Sequence, residues 1–116
     1  ANEIKIFKNP QFGEIRATTN KAGVPLICLR DICNILNIGD SYNVRNTLSD
    51  LYVEKIDVDS SPAMRKTMDF VSEAGMYLLI IMNRKPISEM FTEWVANRVL
   101  PAIRKEDAVL SYSKLE

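Results

Sequence analysis

No histidine occurs anywhere in the 116 residues. That absence removes the commonest general base near neutral pH and the commonest zinc ligand, so Ser-His and Cys-His catalytic pairs are excluded. Cysteine is scarce as well. Cys28 and Cys33 lie five apart, which fits neither the two-residue spacing of zinc ligand pairs nor a scaffold of several disulfides, so both are expected as reduced, buried thiols without a metal. Net charge is missing too, with 15 basic residues against 15 acidic ones. The chain as a whole therefore offers no electrostatic preference for nucleic acid, a membrane surface or an acidic substrate. The longest apolar run, Met76 to Met82, has seven residues, whereas a membrane-spanning helix needs roughly 20. No membrane partner is expected. Residues 1–8 lack the charged-then-apolar plan of a secretory signal, so the expected location is the cytoplasm.

The remaining composition, 47% hydrophobic over 116 residues, suffices for one compact domain with one core. Alternating apolar positions at Ile4, Ile6, Ile15 and Ala17, on either side of Asn9-Pro10-Gln11, predict two strands around a turn. After the turn signal at Asn20 to Gly23, Val24 to Cys28 reads as a third strand running directly into helical spacing at Leu29, Ile32, Cys33 and Leu36. Gly39 breaks that helix. Asp40 or Ser41 caps a second one over Tyr42 to Leu48. Leu51 to Val58 and Met64 to Val71 then bracket Asp59-Ser60-Ser61-Pro62 as a hairpin.

From Ser72 the pattern is helical. Met76 to Met82 has no polar face, which predicts burial on nearly all sides. A further helix beginning at Pro86 sets Ile87, Phe91, Trp94, Val95 and Val99 on one core stripe. A bend is expected at Leu100-Pro101, since proline disfavours helical geometry in the residue before it. The fold class is α+β, a small antiparallel sheet packed against a helical layer. Residues 1–106 form the domain, and 107–116 are expected to be a polar tail, the start of a linker to a further domain.

Ser72-Glu73-x-Gly75-x-Tyr77, the Arg84-Lys85-Pro86 turn, the Phe91-x-x-Trp94-Val95 pair and the ending Val99-Leu100-Pro101-x-Ile103-Arg104-Lys105 stand in one 34-residue stretch. Together with the weaker Ile27 to Leu36 segment, which carries the basic-Asp pair Arg30-Asp31, they resemble the N-terminal domain of the BRO family (Bro-N), found in phage and prophage antirepressors and in proteins of large DNA viruses. The resemblance spans nearly the whole chain. It implies a DNA-associated regulatory module without enzymatic activity or cofactor.

The residues that could carry such a role are few. Ser41, Tyr42, Asn43, Arg45 and Asn46 sit on the short helix after Gly39, where Arg and Asn can read base edges and Ser or Tyr can hold phosphate. The competing reading packs Tyr42 and Val44 inward and leaves Arg45 and the Asn residues merely solvated. Arg65, Lys66, Arg84 and Lys85 are candidate contacts to the DNA backbone, and equally ordinary surface cations. Residues 84–105 hold a local excess of three positives. Arg98, Arg104 and Lys105 are accounted for by the dipole at a helix C-terminus. Glu54, Asp57 and Asp59 form no catalytic constellation, because no phosphate-cradling glycine loop accompanies them. Duplex DNA is the leading partner. The alternative is a protein-interaction module that binds a repressor or self-associates as a homodimer, which neutral charge fits at least as well.

Overall fold

A computed structural model describes residues 3–58 and 66–104. Five strands, β1 (Lys5–Asn9), β2 (Gly13–Thr19), β3 (Pro25–Cys28), β4 (Val53–Asp57) and β5 (Thr67–Ser72), form one sheet in the order β1-β2-β3-β5-β4. Every pairing is antiparallel. The three predicted N-terminal strands and the hairpin arms are all present, while the hairpin tip, including Asp59 to Pro62, lies outside the described residues.

Register explains which face is buried. Ala17 stands opposite Ile27, Ile27 opposite Val71 and Val71 opposite Val53, so one transverse row of apolar side chains crosses four strands. With side chains alternating along each strand, Ile15 joins this face, and Ile15, Ala17, Ile27 and Val71 are all fully buried. Above them lie α1 (Leu29–Leu36), through Ile32, Cys33 and Leu36, and α3 (Glu73–Met82), through Met76 and Leu79. The Phe91-Val95-Val99 stripe of the last helical segment completes this layer. This is the α+β arrangement expected. The reverse face holds a second, smaller cluster of Leu26, Cys28, Ile56 and Phe70, which the pattern alone did not predict. Ile6 pairs with Arg16 and stays exposed, while Phe7, opposite Ile15, packs against the core.

Three helices depart from expectation. The second, α2, is only Ser41–Arg45, shorter than the predicted Tyr42 to Leu48. Tight turns follow it, in which Thr47 spends its hydroxyl on the Val44 carbonyl at 2.7 Å, a side-chain bond that competes with helix continuation. Next, α3 is not buried all round. It buries Gly75, Met76 and Leu79, but Ile81 is 67% and Met82 53% exposed, because the sheet meets the helix along one flank and an all-apolar sequence cannot say which flank that is. Finally, α4 begins at Ser88 rather than Pro86. The Ser88 hydroxyl accepts from the Lys85 N–H at 2.9 Å, and the Ser88 N–H donates to the Lys85 carbonyl at 3.0 Å, so Pro86 sits in a closed turn ahead of the helix.

At the expected bend, Leu100-Pro101, the helix makes a wider turn and Leu100 does not leave helical geometry. Helix α4 (Ser88–Trp94) continues through a π turn at Val95–Val99 into α5 (Leu100–Ile103), and Leu100 keeps helical angles of φ −63° and ψ −45°. Its N–H bonds the Val95 carbonyl, five residues back. Pro101 has no N–H to give and its ring crowds the carbonyl four residues earlier; widening the turn accommodates both without ending the helix. Trp94, expected in the core, is only partly buried at its edge, whereas Phe91, Val95 and Val99 are fully enclosed.

Candidate nucleic-acid interface

Helix α1 follows β3 without a loop, and that junction fixes the first charged pair. Asp31, in the first turn of α1, accepts from the Arg16 backbone N–H at 2.8 Å, from Arg16 Nε at 3.0 Å and from Arg16 Nη2 at 2.8 Å. The two-pronged geometry matches a guanidinium to a carboxylate. It holds the Arg16 pKa above its ordinary value, against the lowering effect of burial. Asp31 is therefore committed to β2 and leaves its sequence neighbour Arg30 exposed. The basic-Asp dipeptide divides into one structural and one surface residue.

Helix α2 is positioned by its cap. Asp40 accepts from the Asn43 N–H at 3.0 Å and from Asn43 Nδ2 at 2.6 Å, and Gly39 supplies the φ of +113° that brings the chain into the cap. Arg45 donates to the Leu48 carbonyl at 3.0 Å and pairs with Asp50. Asn43 and Arg45, two of the expected base readers, thus spend their polar groups on holding the α2 loop. Tyr42 projects outward, 76% exposed, and Asn46 is exposed too.

Ser41 and Tyr42 meet the sheet at a cleft of about 240 Å³, which Arg30, Lys55, Lys66 and Met68 also line. Lys55 pairs with Asp69 across the hairpin at 3.1 Å. Arg30 and Lys66 form no ion pair among the described residues. The fold thus gathers Ser41, Tyr42 and Lys66 from the expected set and adds Arg30 and Lys55, which the sequence did not single out as contacts. No alternation in β4 marks Lys55, which is exposed between the exposed Glu54 and the buried Ile56. Arg84 and Lys85 are exposed in the α3–α4 turn and do not line this cleft. Arg65 lies outside the described residues.

The signature stretch from Ser72 onward has a structural explanation. The Ser72 hydroxyl caps α3 by accepting from the Gly75 N–H at 3.2 Å. Gly75 lets α3 press onto the chain beneath, since a Cβ there would lie 2.9 Å from Tyr52 Cβ and 3.3 Å from Val71 Cβ. Glu73 accepts from the Tyr77 hydroxyl at 3.2 Å and pairs with Arg104. Burial and the Glu73 carboxylate together push the Tyr77 phenol pKa up. Arg104, at the C-terminal end of α5 as the dipole reading requires, also ties that end to the start of α3. Cys28 and Cys33 are free and buried, and burial raises both thiols to a pKa of about 11. Among the described residues, no helix is long and apolar enough to cross a membrane.

The profile of the BRO family, N-terminal domain, matches residues 14–101. A Haemophilus influenzae protein with no assigned activity is 35% identical over 95 residues, which cover 78% of this chain and 45% of that protein. A putative Bro-N domain-containing protein, 201R, of Invertebrate iridescent virus 6 is 28% identical over 102 residues, covering 70% of this chain and 24% of the viral one. The chain thus matches less than half the length of either relative. No solved structure matches it. The matched span runs from β2 through the π turn and takes in the sheet core, the capped α3 and the Trp94 helix, so the chain belongs to the BRO family and carries its N-terminal domain.

Proposed function

We propose that this domain is a DNA-binding regulatory module that holds the duplex backbone across the cleft between α2 and the β4–β5 hairpin. The observation that carries this reading is the gathering of Arg30, Lys55 and Lys66 around the exposed Tyr42 and Ser41, in a chain whose total charge is zero. Cations concentrated on one cleft create a local attraction for phosphate that net charge does not reveal. Asp69 offsets part of it through Lys55, which leaves Arg30 and Lys66 as the principal phosphate contacts. The occurrence of Bro-N domains in phage-type regulators supports the same direction.

The test is fluorescence anisotropy of labelled duplexes at several salt concentrations. With roughly three to four phosphates neutralised, log affinity falls against log salt with a slope of about −0.9 for each. Arg30→Ala and Lys66→Ala each reduce that slope by about one unit. Lys85→Ala, outside the cleft, leaves it unchanged. If the folded domain binds no duplex at low salt, the reading fails and recognition of a repressor protein becomes the better one.

A further inference from the structure

A charge inside the cationic cleft opposes the attraction of its neighbours. Asp69, on β5, lines the cleft together with Arg30, Lys55 and Lys66, and among the described residues that line it Asp69 is the one acid. It stands directly opposite Lys55 in the β4–β5 register, and Lys55 Nζ donates to its carboxylate at 3.1 Å. The two partners differ in freedom. Lys55 belongs to the edge strand β4 and its side chain is 73% exposed, whereas the Asp69 side chain is 21% exposed on a strand with neighbours on both sides. The ammonium can swing out on its flexible four-carbon stem, while the short carboxylate stays where the sheet sets it. Folding gives little reason for an acid there, since a cross-strand pair with one partner mostly in water adds little stability.

We propose, resting on the DNA reading of this cleft, that Asp69 is a built-in restraint on affinity: it cancels the charge of Lys55, so that Arg30 and Lys66 alone supply the net attraction. Whichever way Lys55 turns, the acid subtracts. While Lys55 stays on Asp69, it adds no contact to phosphate. When it swings to a phosphate, it bares a fixed carboxylate toward the same strand, and like charges repel. The cleft thus holds the cations Arg30, Lys55 and Lys66 but attracts as though it lacked one of them. Attraction to phosphate is blind to sequence, so the restraint acts on every duplex alike.

Anisotropy titrations of labelled duplexes with the 116-residue chain test it. Asp69→Asn keeps the shape and removes the charge. It is expected to bind roughly three- to tenfold tighter at low salt, the scale of one charge contact near a protein surface, and to steepen the slope of log affinity against log salt by about 0.9. The factor is the same for two duplexes of unrelated sequence. Asp69→Glu, which keeps the charge, binds as the parent does. The double variant K55A/D69N removes one charge of each sign and returns to the affinity and slope of the parent. Circular dichroism checks that each variant is folded. An Asp69→Asn variant no tighter than the parent would show that the acid serves to position Lys55, and would overturn the proposal. So would a double variant clearly weaker than the parent, because Lys55 would then already hold phosphate. Both of those results leave the DNA reading standing. If neither the parent nor Asp69→Asn binds duplex at low salt, the DNA reading fails and the restraint with it.

Discussion

Replacing Gly75 by alanine is expected to destabilise this domain, although glycine to alanine inside a helix ordinarily stabilises by about 1 kcal/mol. The new Cβ would stand 2.9 Å from Tyr52 Cβ, 3.3 Å from Val71 Cβ and 3.4 Å from the Tyr52 carbonyl oxygen. All three atoms belong to the backbone or are fixed directly to it, so no flexible side-chain end can swing aside. Relief requires α3 to lift from β5 and from the 3₁₀ turn at Asp50–Tyr52, which loosens the packing of Met76 and Leu79. Overpacking of this kind costs about 1–3 kcal/mol. Set against the helix-propensity gain, the net loss is up to about 2 kcal/mol, a fall in Tm of up to several degrees for a domain of this size. Urea unfolding followed by circular dichroism measures it. Ala74→Gly on the exposed side of the same turn is the control, and it should lose about 1 kcal/mol through propensity alone. If Gly75→Ala is more stable than the parent by the full propensity gain of about 1 kcal/mol, the close approach of α3 is not what the glycine serves.

Other consequences can be checked in the same way. Asp31→Ala should cost about 1–3 kcal/mol in chemical denaturation, because it strands the partly buried Arg16 guanidinium and its backbone N–H; a loss under about 0.5 kcal/mol would mean that water replaces the carboxylate. Phe91→Ala should cost about 3–5 kcal/mol and Trp94→Ala clearly less, since Phe91 is fully enclosed and Trp94 lines a trough. Equal losses would return Trp94 to the core. Burial lifts Cys28 and Cys33 from 9.0 to about 11, so between these values the unfolded chain releases protons that the folded one keeps. Their contribution is therefore intact below pH 9 and lost as pH rises toward 11. A Cys28→Ala, Cys33→Ala double variant should show a shallower decline over that window in pH-dependent denaturation. An unchanged slope would show that other groups govern it.

Much of the architecture was legible because short-range physics wrote it. Alternation and turn residues located the three N-terminal strands and the hairpin, and the run Leu29, Ile32, Cys33, Leu36 marked the inner face of α1. The helical pattern opening at Ser72 matched α3, whose first turn the Ser72 hydroxyl caps. The family signature, too, stood in the linear order of residues. What the sequence could not settle were matters of distance between segments far apart in the chain. The run Met76 to Met82 is apolar on every side, so only the one-sided contact with the sheet decides that Ile81 and Met82 face outward. Arg45 had the chemistry of a base reader, but Asp50 and the Leu48 carbonyl claim it. Arg30 became surface-free because a residue 15 positions upstream took Asp31, and Lys55 reached the cleft only because β4 pairs with β5. Periodicity reports the repeat of one element, whereas burial and charge pairing depend on which other element lies across from it, and that is fixed only when the sheet order and the helix layer have formed.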